Sequence, residues 1–147
     1  MEQEMTEHTS TSDLFSPALE LSAVNAISSL GLAHIGDAVY EILVRTMLIG
    51  DGLSTGAHLH HDTTQLVCAP AQAQAADKLL PQLTEEELGF FRRGRNAAVK
   101  HIPKNATRAQ YSKATGLEAL FGALYLLGRK DRISCLFQII MEDTHAT

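Results

Sequence analysis

A few carboxylates and one block of cations carry the chemistry open to this chain. The segment LGLAHIGDAVYEILVR sets Asp37 and Glu41 one helical turn apart. Projected at about 100° per residue, His34, Asp37, Glu41 and Arg45 fall on one narrow polar stripe. Ile35, Val39, Ile42 and Leu43 form the expected core face, and Ala33, Tyr40 and Val44 a second apolar flank. A stripe between two apolar flanks is expected to face a cleft or a partner chain, where a bare carboxylate is costly. Asp37 and Glu41 also repel each other at this spacing. A hard divalent cation such as Mg²⁺ relieves both problems, because it takes carboxylate oxygens and keeps waters for chemistry. The competing arrangement is structural: Glu41 pairs with Arg45 in the favourable order, and Asp37 bonds locally.

Glu118 sits in TGLEALFGALYLLG, the most apolar stretch, and is the only acid between Leu88 and Arg129. Glycine inside a helix costs about 1 kcal/mol against alanine. Gly36 and Gly122 are acceptable where two helices approach closely, and such an approach would let Asp37 and Glu118 converge on one ion. The alternative is a buried Glu118 paired with a nearby arginine.

The formal net charge is −5, yet the charges are segregated. No Lys or Arg precedes Arg45, whereas Arg92, Arg93, Arg95, Lys100, Lys104, Arg108 and Lys113 follow one another without an intervening acid. Such a block needs distant acids, solvent or a polyanion; a plain solvated basic face is the ordinary alternative. Hard-oxygen ligands beside a cationic segment fit metal-assisted attack on a phosphodiester, with the cations holding an RNA or DNA backbone. Trp is absent and aromatics are 5%. A chain so poor in stacking rings is expected to read duplex shape, which favours double-stranded RNA.

The elements that must position these groups read as helices. The 147 residues suit one domain, and 45% hydrophobic with 20% charged residues is a globular balance. No apolar window approaches the roughly 18 residues of a membrane span, and the acidic start argues against a secretory signal. Cys68 and Cys135 read as reduced residues of a cytosolic protein. A polar tail is expected over 1–16, a single domain over 17–143 and a short tail over 144–147. Within the domain, Ser16 and Pro17 start a helix that Gly31 separates from a second, Leu32 to Ile49. Weaker helical spacing covers Ser54 to Val67, and the Ala- and Gln-rich stretch Ala69 to Leu80 follows, ended by Pro81. Thr84 and Glu87 form a capping box for a helix that runs through the early arginines. A loop around Ile102 to Asn105 precedes helices at about Arg108 to Leu127 and Asp131 to Glu142. The expected fold is all-α, without strands or repeats. His58, His60 and His61 beside Asp62 read as surface histidines rather than a zinc site, since no cysteine pair or HExxH spacing accompanies them.

IGDAVYE (Ile35 to Glu41), RRGRNA (Arg92 to Ala97) with PKNA (Pro103 to Ala106), and TGLEALFGALYL (Thr115 to Leu126) occur in the order that marks the ribonuclease III family. The chain resembles its compact Mini-ribonuclease III type over about Leu21 to Met141. The resemblance implies a helical endonuclease domain in which Asp37 and Glu118 are the catalytic, metal-binding carboxylates. It implies Mg²⁺, with Mn²⁺ as a substitute, and a homodimer with one cutting centre per chain. The products would carry 5′-phosphate and 3′-hydroxyl ends. Arg92, Arg93, Arg95, Asn96, Lys100, Lys104 and Lys113 become candidate RNA contacts, because no double-stranded RNA-binding domain follows in this sequence. His34, Glu41 and Thr115 are candidate supports of the site. Full-length family members carry two further acids where this chain has Ala33 and Thr115, and the Mini type generally lacks them too. The implied task is maturation of precursor 23S ribosomal RNA in the bacterial cytoplasm, away from membranes, with a large-subunit ribosomal protein as candidate stimulator. The rival reading is a non-catalytic, double-stranded RNA-binding or ribosome-assembly dimer on the same fold, and a third is a helical protein-interaction module.

Overall fold

The computed structural model describes residues 13–97 and 101–142. Among these residues the chain forms seven α-helices: α1 (Leu21–Asn25), α2 (Ser29–Gly50), α3 (Leu59–Val67), α4 (Ala69–Leu79), α5 (Glu85–Arg95), α6 (Arg108–Leu126) and α7 (Lys130–Met141). A 3₁₀ turn, Leu80–Gln82, joins α4 to α5, and no strand occurs among the described residues. None of these helices is long and apolar enough to cross a membrane.

Helix α6 is the axle of the fold. Its run from Ala114 to Leu117 and from Ala119 to Leu124 is buried on every side, as expected of a helix that is apolar all round. It packs chiefly against α2, α5 and α4. At the α2 crossing the backbones nearly touch. A Cβ on Gly36 would lie 1.6 Å from the Glu118 carbonyl oxygen, and one on Gly122 would lie 2.1 Å from that of Leu32. Tyr40 of α2 closes the core beside this crossing, edge-on to Phe121 at 5.4 Å and to Phe137 at 5.7 Å.

Local chemistry explains the helix starts. The Ser28 hydroxyl accepts the Gly31 N–H at 3.0 Å, so α2 begins at Ser29 and Gly31 lies inside its first turn. The expected break at Gly31 is therefore three residues too late. Pro17 does not open a helix either. Residues 13–20 run as a strap along the C-terminal end of α6. Leu19 N–H donates to the Leu126 carbonyl at 2.8 Å, the Tyr125 hydroxyl donates to the Leu14 carbonyl, and Lys130 donates to Ser16 Oγ at 2.5 Å. Backbone groups that find partners on another helix do not need a helix of their own. Residues 13–16 are thus tied to the domain, while residues 1–12 and 144–147 of the expected tails, and residue 143 at the end of the expected domain, lie outside the described residues.

Both N-termini flanking the basic block carry reciprocal capping boxes, the expected one at Thr84 and Glu87 and a second at Thr107 and Gln110. Glu87 is 3% exposed and also takes the Arg132 guanidinium, with Nε at 2.8 Å from Oε2. This pair fixes the start of α5 to α7. Burial alone would raise the Glu87 pKa, but hydrogen bonds from Arg132 and Thr84, with the Arg132 charge, hold it below the ordinary carboxylate value.

Candidate active site

The α2–α6 crossing positions the site. Gly36 precedes Asp37, and the peptide carbonyl that faces Gly36 belongs to Glu118. The contact that lets the helices touch therefore brings the two carboxylates together. Asp37 is exposed on the lip of a groove of about 450 Å³, which His34, Ile35, Ala38, Glu41, Ile42 and Arg45 also line. Glu118 sits deeper and is half-buried.

Burial, then the Asp37 charge and a hydrogen bond shared with Asp37, push the Glu118 pKa up to about 8. The Gln72 side chain acts in the opposite direction. Two adjacent carboxyls cannot both ionise cheaply, so at neutral pH and without a cation Glu118 keeps its proton. Gln72, on α4, is 1% exposed, and its Nε2 has no hydrogen-bond partner. Its side chain acts on Glu118 as a hydrogen-bond donor that favours the ionised form, although Nε2 makes no well-formed bond.

These features fit a hard divalent cation. Two oxygen donors converge, one of them must otherwise hold a proton, a buried donor beside them is unsatisfied, and the Asp37 side is open to water. Asp37 and Glu118 would hold the ion. Among the described residues no group of three or more His, Cys, Asp and Glu forms a metal cluster, so the protein shell at this site is a pair. The histidines of α3 make no such cluster, and Asp62 instead accepts a hydrogen bond from Ser54 at 2.7 Å.

The other predicted residues divide. Glu41 is paired with Arg45, whose Nε donates at 2.8 Å, which is the structural alternative rather than a role beside the ion. Thr115 is buried, but its hydroxyl donates to the Tyr111 carbonyl at 2.9 Å; it serves its own helix. His34 is exposed on the groove beside Asp37. In the basic block, Arg93 donates to the Ile27 carbonyl and to Ser29 Oγ, docking α5 on the start of α2. Lys113 is paired with Asp77 at 2.7 Å. Arg92, Arg95, Asn96, Lys104 and Arg108 are exposed, with Arg95 stacked 5.9 Å from the Phe91 ring and bonded to Asn96 Oδ1 at 3.3 Å. Lys100 lies outside the described residues.

The expected core face of α2 needs correction. Val39 is buried, but Ile35 and Leu43 are only half-buried and Ile42 is 53% exposed. The buried stripe is instead Leu32, Ala33, Gly36, Tyr40 and Val44 with Val39. Gly36 decides this, because the face without a side chain is the one that can meet α6. Sequence reading also passed over Gln72. Its signal is positional: Gln72, Ala76 and Leu79 share one stripe of α4, and a glutamine there interrupts an apolar face.

A profile described as "Ribonuclease III domain" matches residues 30–129, which span both carboxylates and the basic block. The chain belongs to the ribonuclease III family. Within that family, the Mini-ribonuclease 3 of Symbiobacterium thermophilum is 45% identical over 109 residues, covering 74% of this chain and 84% of the relative. The Mini-ribonuclease 3 of Brevibacillus brevis is 44% identical over 114 residues, covering 78% and 85%. A crystal structure of a Fusobacterium nucleatum protein aligns with a TM-score of 0.74 at 30% identity, covering 81% of this chain and 95% of the other. The ribonuclease III domain expected from the three motifs is thus the fold observed, and it is all-helical.

Proposed function

We propose that the chain is a Mg²⁺-dependent endoribonuclease that cuts double-stranded RNA, with Asp37 and Glu118 as its catalytic carboxylates. The observation that carries this reading is the meeting of Asp37 and Glu118 across the Gly36–Gly122 contact, at the edge of an open groove. A bound divalent cation would supply an activated water and neutralise charge on the phosphate. The chain does the rest. Glu118 would hold such an ion from the buried side and Asp37 from the solvent side. Arg92, Arg95 and Lys104, none with an acidic partner among the described residues, are free to take backbone phosphates.

The active form is a homodimer. Beside the site, Ile35, Ala38, Ile42 and Tyr125 line an apolar groove, over which Phe15 stands 82% exposed. A monomer rarely leaves such a patch to water. Two copies joined there would bring one centre to each strand of a duplex. Precursor 23S ribosomal RNA in the cytoplasm is the proposed substrate, on the strength of resemblance to Mini-ribonucleases.

The test is a perfect RNA duplex incubated with Mg²⁺, with EDTA, and with the Asp37→Asn or Glu118→Gln protein. The unmodified chain should give fragments with 5′-phosphate ends. Losing a supporting group around a metal costs about 10- to 100-fold, so removing a ligand should cost more than about 100-fold. Cleavage that survives both substitutions rejects the site. Binding without cleavage by the unmodified chain favours a non-catalytic RNA-binding dimer, a reading that the pairwise rather than fourfold carboxylate set keeps open.

A further inference from the structure

We propose that Gln72 is a positioning residue of the cation site: its side-chain amide, buried between α4 and α6, donates a hydrogen bond to the Glu118 carboxylate in the cation-loaded protein and fixes that ligand's orientation. The inference rests on the Asp37–Glu118 reading and extends it to a third helix.

Gln72 stands among the buried Ala73, Ala75, Ala76 and Leu79, whereas Gln74 of the same helix is exposed. Its Nε2 is the one buried side-chain nitrogen or oxygen among the described residues that lacks a partner. Buried donors are almost always satisfied, so an orphan aimed at a carboxyl group calls for a reason. Without a cation, Glu118 is tied to Asp37 by a hydrogen bond, and the Gln72 side chain acts on it the opposite way as a donor whose Nε2 makes no well-formed bond. An ionised carboxylate, by contrast, offers about four acceptor positions on two oxygens. One oxygen given to a cation leaves the other in need of a donor in a region closed to water. The amide can fill that role through a charge-assisted bond. It also does so without bringing a positive charge: a lysine in its place would compete with the metal for Glu118, and a glutamine does not. The buried amide, which lacks a well-formed bond of its own, is thus placed to steady Glu118 as a ligand.

Mn²⁺ uptake by the full chain, read from the electron paramagnetic resonance of the free ion, tests this without any RNA. The variants are Asp37→Asn, Gln72→Met, which keeps length and volume but deletes the amide, and Gln72→Asn, which keeps the amide but withdraws it by one methylene. Each is also unfolded chemically in EDTA. The expected result is Mn²⁺ bound about 10- to 100-fold more weakly by Gln72→Met, with an unfolding midpoint in EDTA equal to or above that of the unmodified chain. RNA cleavage by this variant should recover as Mn²⁺ is raised. Gln72→Asn should be weakened in the same sense, and reads the same quantity should Gln72→Met fail to fold. Unchanged Mn²⁺ affinity in the Gln72 variants, with or without a lowered midpoint, overturns the inference and leaves Gln72 a packing residue. If Asp37→Asn binds Mn²⁺ as the unmodified chain does, the cation site itself is rejected and the role of Gln72 goes with it.

Discussion

Glu118 and Glu87 are two half- to fully buried glutamates pushed in opposite directions by their surroundings. Arg132 and the Thr84 bonds hold Glu87 below the ordinary 4.5, while burial first and then the Asp37 charge push Glu118 up to about 8. The consequences for stability have opposite signs. A lowered folded pKa contributes stability above the unfolded value, and that contribution is lost as pH falls through the folded one. For Glu118 the folded state holds the extra proton between about 4.5 and 8, so stability declines as pH rises across that window. Urea unfolding in EDTA should therefore show a stability maximum on the acidic side of neutrality. Glu118→Gln should flatten the decline between pH 5 and 8, and an unchanged slope in that variant would show that the decline does not come from the Glu118 carboxyl.

At the scale of elements, the α2–α6 crossing sets what the chain tolerates. Gly36→Ala would drive a methyl group into the Glu118 carbonyl. Overpacking of this kind costs about 1–3 kcal/mol or more, and backbone on both sides leaves little room to yield. Gly89, in α5, has nothing within 4 Å of its would-be Cβ. Gly89→Ala should stabilise by up to about 1 kcal/mol through helix propensity, as read by denaturation midpoints. Much of this architecture was legible beforehand. The two glycines implied the close approach, the Thr84 box marked α5, and the apolar density around Leu117 to Leu124 marked the central helix. The illegible parts were tertiary. The strap at Ser16 to Glu20 is fixed by carbonyls and side chains more than 100 positions away, and nothing local announces them. Which flank of α2 enters the core followed from the missing side chain at Gly36, not from the apolar count. The basic block could not reveal that Arg93 is docked against α2 or that Lys113 is paired at the surface, because their partners Ile27, Ser29 and Asp77 lie far off in sequence.

For the whole molecule, those engaged cations give a distinction that binding can measure. Arg92→Met or Arg95→Met should weaken duplex RNA binding across sequences and reduce its salt slope by about 1 each. Arg93→Met should instead lower the unfolding midpoint, since it undocks α5 from α2. Equal salt slopes for all three proteins would contradict this division. Self-association is open to a similar check. Ile42→Glu places a charge in the exposed apolar face of α2 and should shift sedimentation from dimer toward monomer while leaving the helical spectrum intact. A dimer unaffected by that change would put the interface elsewhere.

The spacing between Asp37 and Glu118 is gauged by main-chain atoms in contact, not by the lengths of intervening side chains. Such a gauge has no soft coordinate. Warming or mild denaturant can loosen rotamers around the groove, yet the backbones that carry the two acids separate only when α2 leaves α6, which is to say when the core melts. Whatever slack the site acquires in an intact bundle is then confined to the side chains themselves.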